Sequence, residues 1–109
     1  LLPRKIKDAS PTREKRIRCP AHLKWVREHH CCVPGCNKLP VEAAHVRTGT
    51  GGGMGMKPDD CWVISLCQDH HAEQHSVGER PFEERHFIDM KALAEEFAAK
   101  SPHRAKLKR

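Results

Sequence analysis

Six cysteines and nine histidines crowd a chain of 109 residues, and several stand at spacings that metal ions select. Cys36 lies four positions after Cys32 and five after Cys31, while Cys67 lies three before His70. Two such pairs, about thirty residues apart, suit a tetrahedral Cys3His site for Zn2+, enclosed by four protein ligands and able to contribute folding energy directly. Either neighbour completes the set. Alternation favours Cys31, because it then shares a side with Val33, whereas Cys32 offers the commoner ligand spacing. Cys19 and Cys61 lack a ligand-spaced partner and read as ordinary residues. Three disulfides are the rival use of six cysteines, with fifteen connectivities. The histidines interleaved with the cysteines make a metal the more economical reading, and it implies a reducing compartment.

His71 and His75 form a second constellation. Residues four apart on a helix share a face, so these two imidazoles can converge on one ion. His70 points roughly 100° away from His71 on a helix, which lets adjacent histidines serve different metals. Two enzymatic uses of such histidines are excluded. A zincin peptidase needs Glu directly after the first histidine, but Ala72 stands there and Glu73 comes one later. A zinc deaminase needs His-x-Glu followed by Pro-Cys-x-x-Cys, and nothing downstream of His71-Ala72-Glu73 supplies it.

Short elements must position these residues. Residues 1–18 are rich in Lys and Arg, contain Pro3 and Pro11, and read as an extended arm. Pro20 suits a helix's first turn, and Leu23 and Val26 continue the helical spacing to about His30; Trp25 packs that helix on the rest. Pro34-Gly35 forces a turn. Val41–Val46 and Trp62–Leu66 read as strands, separated by a loop, Gly49–Met56, holding five of the seven glycines. Cys67 to about Val77 reads as a helix stopped by Gly78. Beyond Pro81, Phe87, Met90, Leu93, Ala94 and Phe97 form one further apolar helical stripe. The expected class is α+β: a small zinc-stabilised core with a two-stranded hairpin and flanking helices. Its expected divisions are a basic arm over 1–19, a domain over 20–100 and a basic tail over 101–109.

Composition explains why a metal would matter. A chain of this length buries only about 60–65% of its unfolded surface, so its apolar core is marginal alone. The net charge is +6, unevenly spread. Residues 1–27 carry nine basic and two acidic side chains, and residues 101–109 carry four basic ones and no acid, leaving −5 between them. Basic arms around an acidic centre read either as solvated tails or as a nucleic-acid footprint, and charge alone does not choose between them. No apolar run approaches the ~18 residues of a membrane span. Leu1-Leu2-Pro3 leads straight into Arg4-Lys5-Ile6-Lys7 without an apolar leader region, so a cytoplasmic location is expected.

Several motifs in order then resemble a known family. The cysteine turn, Ala43-Ala44-His45-Val46-Arg47, the glycine loop, Lys57-Pro58-Asp59-Asp60 and Ser65-Leu66-Cys67-Gln68-Asp69-His70-His71, with His75 after three more residues, together resemble HNH endonucleases of the ββα-metal fold. The likeness is closer to the phage and prophage branch, which includes the phage RecA-dependent nuclease and the YbcO-like nucleases. It covers residues 31–78 well and 20–90 loosely.

The resemblance implies a bacterial or phage-encoded enzyme that hydrolyses phosphodiester bonds in DNA, with a recombination or phage DNA-processing protein as a further partner. It places His45 as the general base, a task that imidazole suits because its unperturbed pKa of about 6.5 lies near working pH. It places His71 and His75 as ligands of one catalytic divalent cation (Mg2+, Mn2+ or Zn2+). Asp60 falls at the middle position, which orients the loop or approaches the metal, and Asp59 is its substitute. Arg47, Lys57 and the glycine loop would line the phosphate track. One departure stands out: many HNH sites carry His or Asp immediately before the base, and this chain has Ala44. Ala44 favours the alternative of a non-catalytic, zinc-stabilised nucleic-acid-binding module; the three histidines favour the enzyme.

Overall fold

The computed structural model describes residues 16–50 and 58–108. Helix α1, Pro20–Arg27, starts with proline in the first turn, where a missing N–H costs no helical hydrogen bond. Strands β1, Val41–His45, and β2, Val63–Cys67, pair antiparallel from Val41 opposite Cys67 to His45 opposite Val63. Helix α2, Gln68–Val77, follows β2 without a linker, and Gly78 (φ 92°) ends it in a conformation that only glycine adopts cheaply. Helices α3, Glu79–His86, and α4, Met90–Lys100, follow, and a short 3-10 turn spans Arg104–Leu107. The described residues therefore form a small α+β fold with a two-stranded antiparallel sheet and four α-helices.

The register positions everything that follows. Val41 sits opposite Cys67 and α2 begins one residue later, so the start of β1 runs beside the first turns of α2. All five residues of β2 are buried, as expected of a strand covered on both faces. Its Ile64 and Leu66 join Val41, Ala44, Phe82 and Met90 in the core.

Several boundaries differ from expectation. The strand reaches Cys67 rather than stopping at Leu66, and α1 ends at Arg27 instead of His30. The stretch beyond Gly78 is two helices, not one. Pro81 lies in the first turn of α3, where it needs no hydrogen-bond donor, and the chain turns at Phe87 through a left-handed residue (φ 54°). Phe87 thus leaves the apolar stripe and is 91% exposed, whereas Met90 and Ala94 are fully buried. Finally, the last residues of the expected basic arm belong to the folded unit. The amide of Ile17 donates to Asp59 Oδ1 (2.9 Å), that of Asp60 to the Ile17 carbonyl (3.0 Å), and that of Cys19 to Asp60 Oδ2 (2.7 Å). The tail docks too, through buried Ser101 and Leu107. The rest of the arm, residues 1–15, lies outside the described residues, as do positions 51–56 of the glycine loop, Lys57 and residue 109.

Candidate metal centre and adjoining cleft

Three elements bring four ligands together. Cys31 ends the segment after α1. Cys36 follows a tight turn in which Gly35 takes φ 83° and the Cys36 amide donates to the Val33 carbonyl (3.0 Å). Cys67 closes β2, and His70 stands in the first turn of α2. Their ligand atoms all lie within 4.8 Å of one another: His70 Nδ1 is 3.4 Å from Cys31 Sγ and 3.3 Å from Cys67 Sγ, and Cys36 Sγ is 4.0 Å from Cys67 Sγ. This cluster can hold a metal ion. Cys31, not Cys32, completes it. The Cys32 amide instead donates to the Ser65 carbonyl (2.9 Å), and its side chain lines a pocket with Trp25, Leu93 and Phe97.

The electrostatics fit a site that takes its charge from a cation. Burial pushes the Cys31 thiol up to about 11, and burial together with Cys31 pushes Cys32 to about 12. Cys36 is drawn below the ordinary thiol value, chiefly by the Lys38 backbone amide. Burial, then neighbouring His86, lowers the His70 imidazole, which keeps it neutral with a lone pair to donate. Beside the cluster, His70, Glu73 and His86 also bring ligand atoms within 4.8 Å. There the Glu73 carboxylate already binds His86 Nε2 (2.9 Å) and Arg85 Nη1 (3.0 Å).

His71 turns the other way. Its Nε2 lies 3.2 Å from His75 Nε2, and both rings line a cleft with Leu23 and Arg27 of α1 and with Ala43, His45 and Arg47. Adjacent histidines at the start of α2 thus face two different groups, as helical geometry predicts. His45 ends β1 and gives its Nε2 to Asp60 Oδ1 (2.9 Å). Asp60 is buried, and its carboxylate also binds Arg18 Nη1 (3.2 Å) and the Cys19 amide. These contacts tie Asp60 to His45 and to the segment that precedes α1. Asp59 accepts from the Ile17 amide. Ala44 is fully buried in the core, so no ligand precedes His45. Arg47 stands at the cleft, with its amide and that of Thr48 each donating to the Glu79 carboxylate at 2.8 Å. Lys57 lies outside the described residues.

Three contributors escaped the sequence reading. Arg27 and Leu23 wall the cleft from α1, which no spacing along the chain announces. Glu42 pairs with His71 Nδ1; that contact depends on the sheet register, which a sequence of short strands does not specify.

Fold and site together define a small α+β domain with a Cys3His cluster able to hold a metal ion and a separate histidine-lined cleft. The chain belongs to the family described as "Protein of unknown function (DUF968)", which matches residues 9–101. It is also similar to "Uncharacterized protein YdfU" of Escherichia coli (strain K12), with 38% identity over 56 residues. The match takes in 50% of this chain, and the chain spans only 15% of the length of that relative. No solved structure matches the chain.

Proposed function

We propose that this domain is a metal-dependent endonuclease of the HNH type, acting on phosphodiester bonds in DNA, with zinc in the Cys3His cluster as scaffold. The observation that carries this reading is the division of adjacent His70 and His71 between two groups, the second sharing its cleft with a carboxylate-bound His45.

The scaffold assignment rests on the donors. Ligands at about 2.3 Å (sulfur) and 2.0 Å (nitrogen) around a tetrahedral zinc stand about 3.8 Å apart for S···S and about 3.5 Å for S···N. The observed 4.0, 3.4 and 3.3 Å are close to those values. Thiolate ligands also favour a reducing compartment, in keeping with a cytoplasmic setting. Among the described residues no helix is long and apolar enough to cross a membrane.

In the cleft, His71 and His75 would hold a divalent cation through Nε2. The chemistry supplied by such a bound cation is polarisation of the scissile phosphate and stabilisation of the departing 3′ oxygen. The chain's own residues supply the proton transfer. Asp60 accepts from His45 Nε2–H, which fixes the tautomer and leaves Nδ1 as the nitrogen able to take a proton from water; the resulting imidazolium is stabilised by the same carboxylate. Arg47 and Arg27 line the cleft where a phosphate would enter. Charge-assisted hydrogen bonds from guanidinium groups suit a phosphodiester.

The test is cleavage of supercoiled plasmid with Mg2+, Mn2+ or Zn2+, stopped by chelator. His45→Ala is expected to lose cleavage while keeping its zinc and fold; equal cutting by His45→Ala sinks the base assignment. The buried Ala44 supports a second reading, a non-catalytic nucleic-acid-binding module, because it leaves His71 and His75 as the two imidazoles assigned to a cation, beside His45. That reading predicts salt-sensitive DNA binding without cleavage under any divalent ion.

A further inference from the structure

Resting on the reading of His71 and His75 as a cation pair, we infer that Glu42 is the positioning residue of that site: it fixes the tautomer of His71 and so makes its Nε2 the donor. Glu42 lies on β1 and is paired with Leu66, one step from the Val41–Cys67 pair at the start of α2. From there its Oε1 reaches His71 Nδ1, on the edge of the ring away from His75. A carboxylate can only accept there, so His71 Nδ1 carries the hydrogen. The lone pair is then on Nε2, which stands 3.2 Å from His75 Nε2. Two imidazole nitrogens bound to one ion at about 2.0–2.1 Å sit about 3.0–3.4 Å apart, so this pair is set for a shared cation with little movement.

Chemistry gives Glu42 a task that Ala44 leaves undone. Where the base is preceded by a hydrophobic core residue, the cation depends on fewer protein donors, and the basicity of each matters more. A carboxylate on the far nitrogen raises ligand basicity and fixes ring orientation, and such partners typically carry 10–100-fold of metal affinity. Glu42 and His71 are both partly solvent-accessible, so Glu42 carries no packing role that would mask the effect. Glu42 does not reach the cleft lining that the substrate would touch, and its effect runs through His71.

The experiment uses the full chain with the Cys3His cluster zinc-loaded, and Co2+ as the probe. Calorimetric titration of the wild type is expected to show a second-site binding event absent from His71→Ala. Glu42→Gln, which keeps the shape but loses the charge, is expected to weaken that event 10–100-fold, and Glu42→Asp to recover part of it. Long-range 15N NMR before Co2+ addition is expected to show the Nδ1–H tautomer of His71 in the wild type and a shift toward Nε2–H in Glu42→Ala, which leaves Nδ1–H without its acceptor. Unchanged Co2+ affinity in Glu42→Gln, an unchanged tautomer in Glu42→Ala, or a wild type without the second event each overturns the inference. Second-site binding that depends on Glu42, in a protein that cuts no DNA, overturns the nuclease reading and leaves Glu42 in its role.

Discussion

At the scale of single residues, neighbouring side chains of the same type have different work because of what surrounds them. Cys31 and Cys32 are adjacent thiols, yet only Cys31 faces Cys36, Cys67 and His70. If the cluster holds zinc as proposed, Cys31→Ser is expected to abolish stoichiometric zinc, measured by colorimetric release, while Cys32→Ser retains it. Equal loss in both variants would return Cys32 to the ligand set. His45 and Asp60 form the other unit. Replacing the carboxylate with an amide keeps the shape but no longer stabilises a protonated imidazole, and it frees the ring to take the other tautomer. On the proposed nuclease reading, Asp60→Asn is expected to lower the cleavage rate by about 10²–10⁴-fold, with metal content unchanged. Asp60 also ties Arg18 and the Cys19 amide, so circular dichroism and zinc stoichiometry must accompany the rate. Wild-type cleavage by folded, zinc-loaded Asp60→Asn would remove Asp60 from the mechanism.

At the scale of elements, legibility followed periodicity and failed where contacts depend on register or turns. The spacing of Cys67, His70, His71 and His75 stated which helix face each would occupy, because 3.6 residues per turn separates positions 70 and 71 whatever the rest of the fold does. The strand pair was legible for the same kind of reason, within one residue at its ends. Glu42 was not, since it meets His71 only after β1 and β2 choose their register. Nor was the break at Phe87, where an unbroken apolar stripe hid a turn with no glycine or proline to announce it. The left-handed conformation costs a residue with a Cβ roughly 1–2 kcal/mol, and asparagine less. The Phe87 ring, 91% exposed, offers little packing to lose. Phe87→Asn is thus expected to stabilise the protein by about 0.5–1 kcal/mol, read from denaturant midpoints. A destabilised variant would mean that the ring packs in solution.

At the scale of the whole molecule, the first helix and the last turn close on each other through one buried histidine. His22 of α1 is fully buried, and its Nδ1 lies 2.9 Å from Ser101 Oγ across 79 positions of sequence. Its Nε2 has no hydrogen-bond partner among the described residues. Burial, and next the charge of His103, lower its pKa below the ordinary value, with Asp60 opposing them. A ring held neutral in the native state but free to protonate on unfolding binds more protons in the unfolded chain. The stability it contributes is therefore complete above the unfolded value of about 6.5 and declines as pH falls toward the lowered native value, by at most about 1.4 kcal/mol per pH unit. Acid also competes for the thiolates of the Cys3His cluster, so the wild type alone does not isolate His22. His22→Gln keeps an amide that can meet Ser101 and removes the titration, while the metal's pH dependence is common to both proteins. Urea unfolding of both proteins at pH 7.5 and 5.5 is expected to show a larger acid loss in the wild type than in His22→Gln. Parallel losses would show that His22 is not the group through which acid opens the junction between α1 and the C-terminal turn.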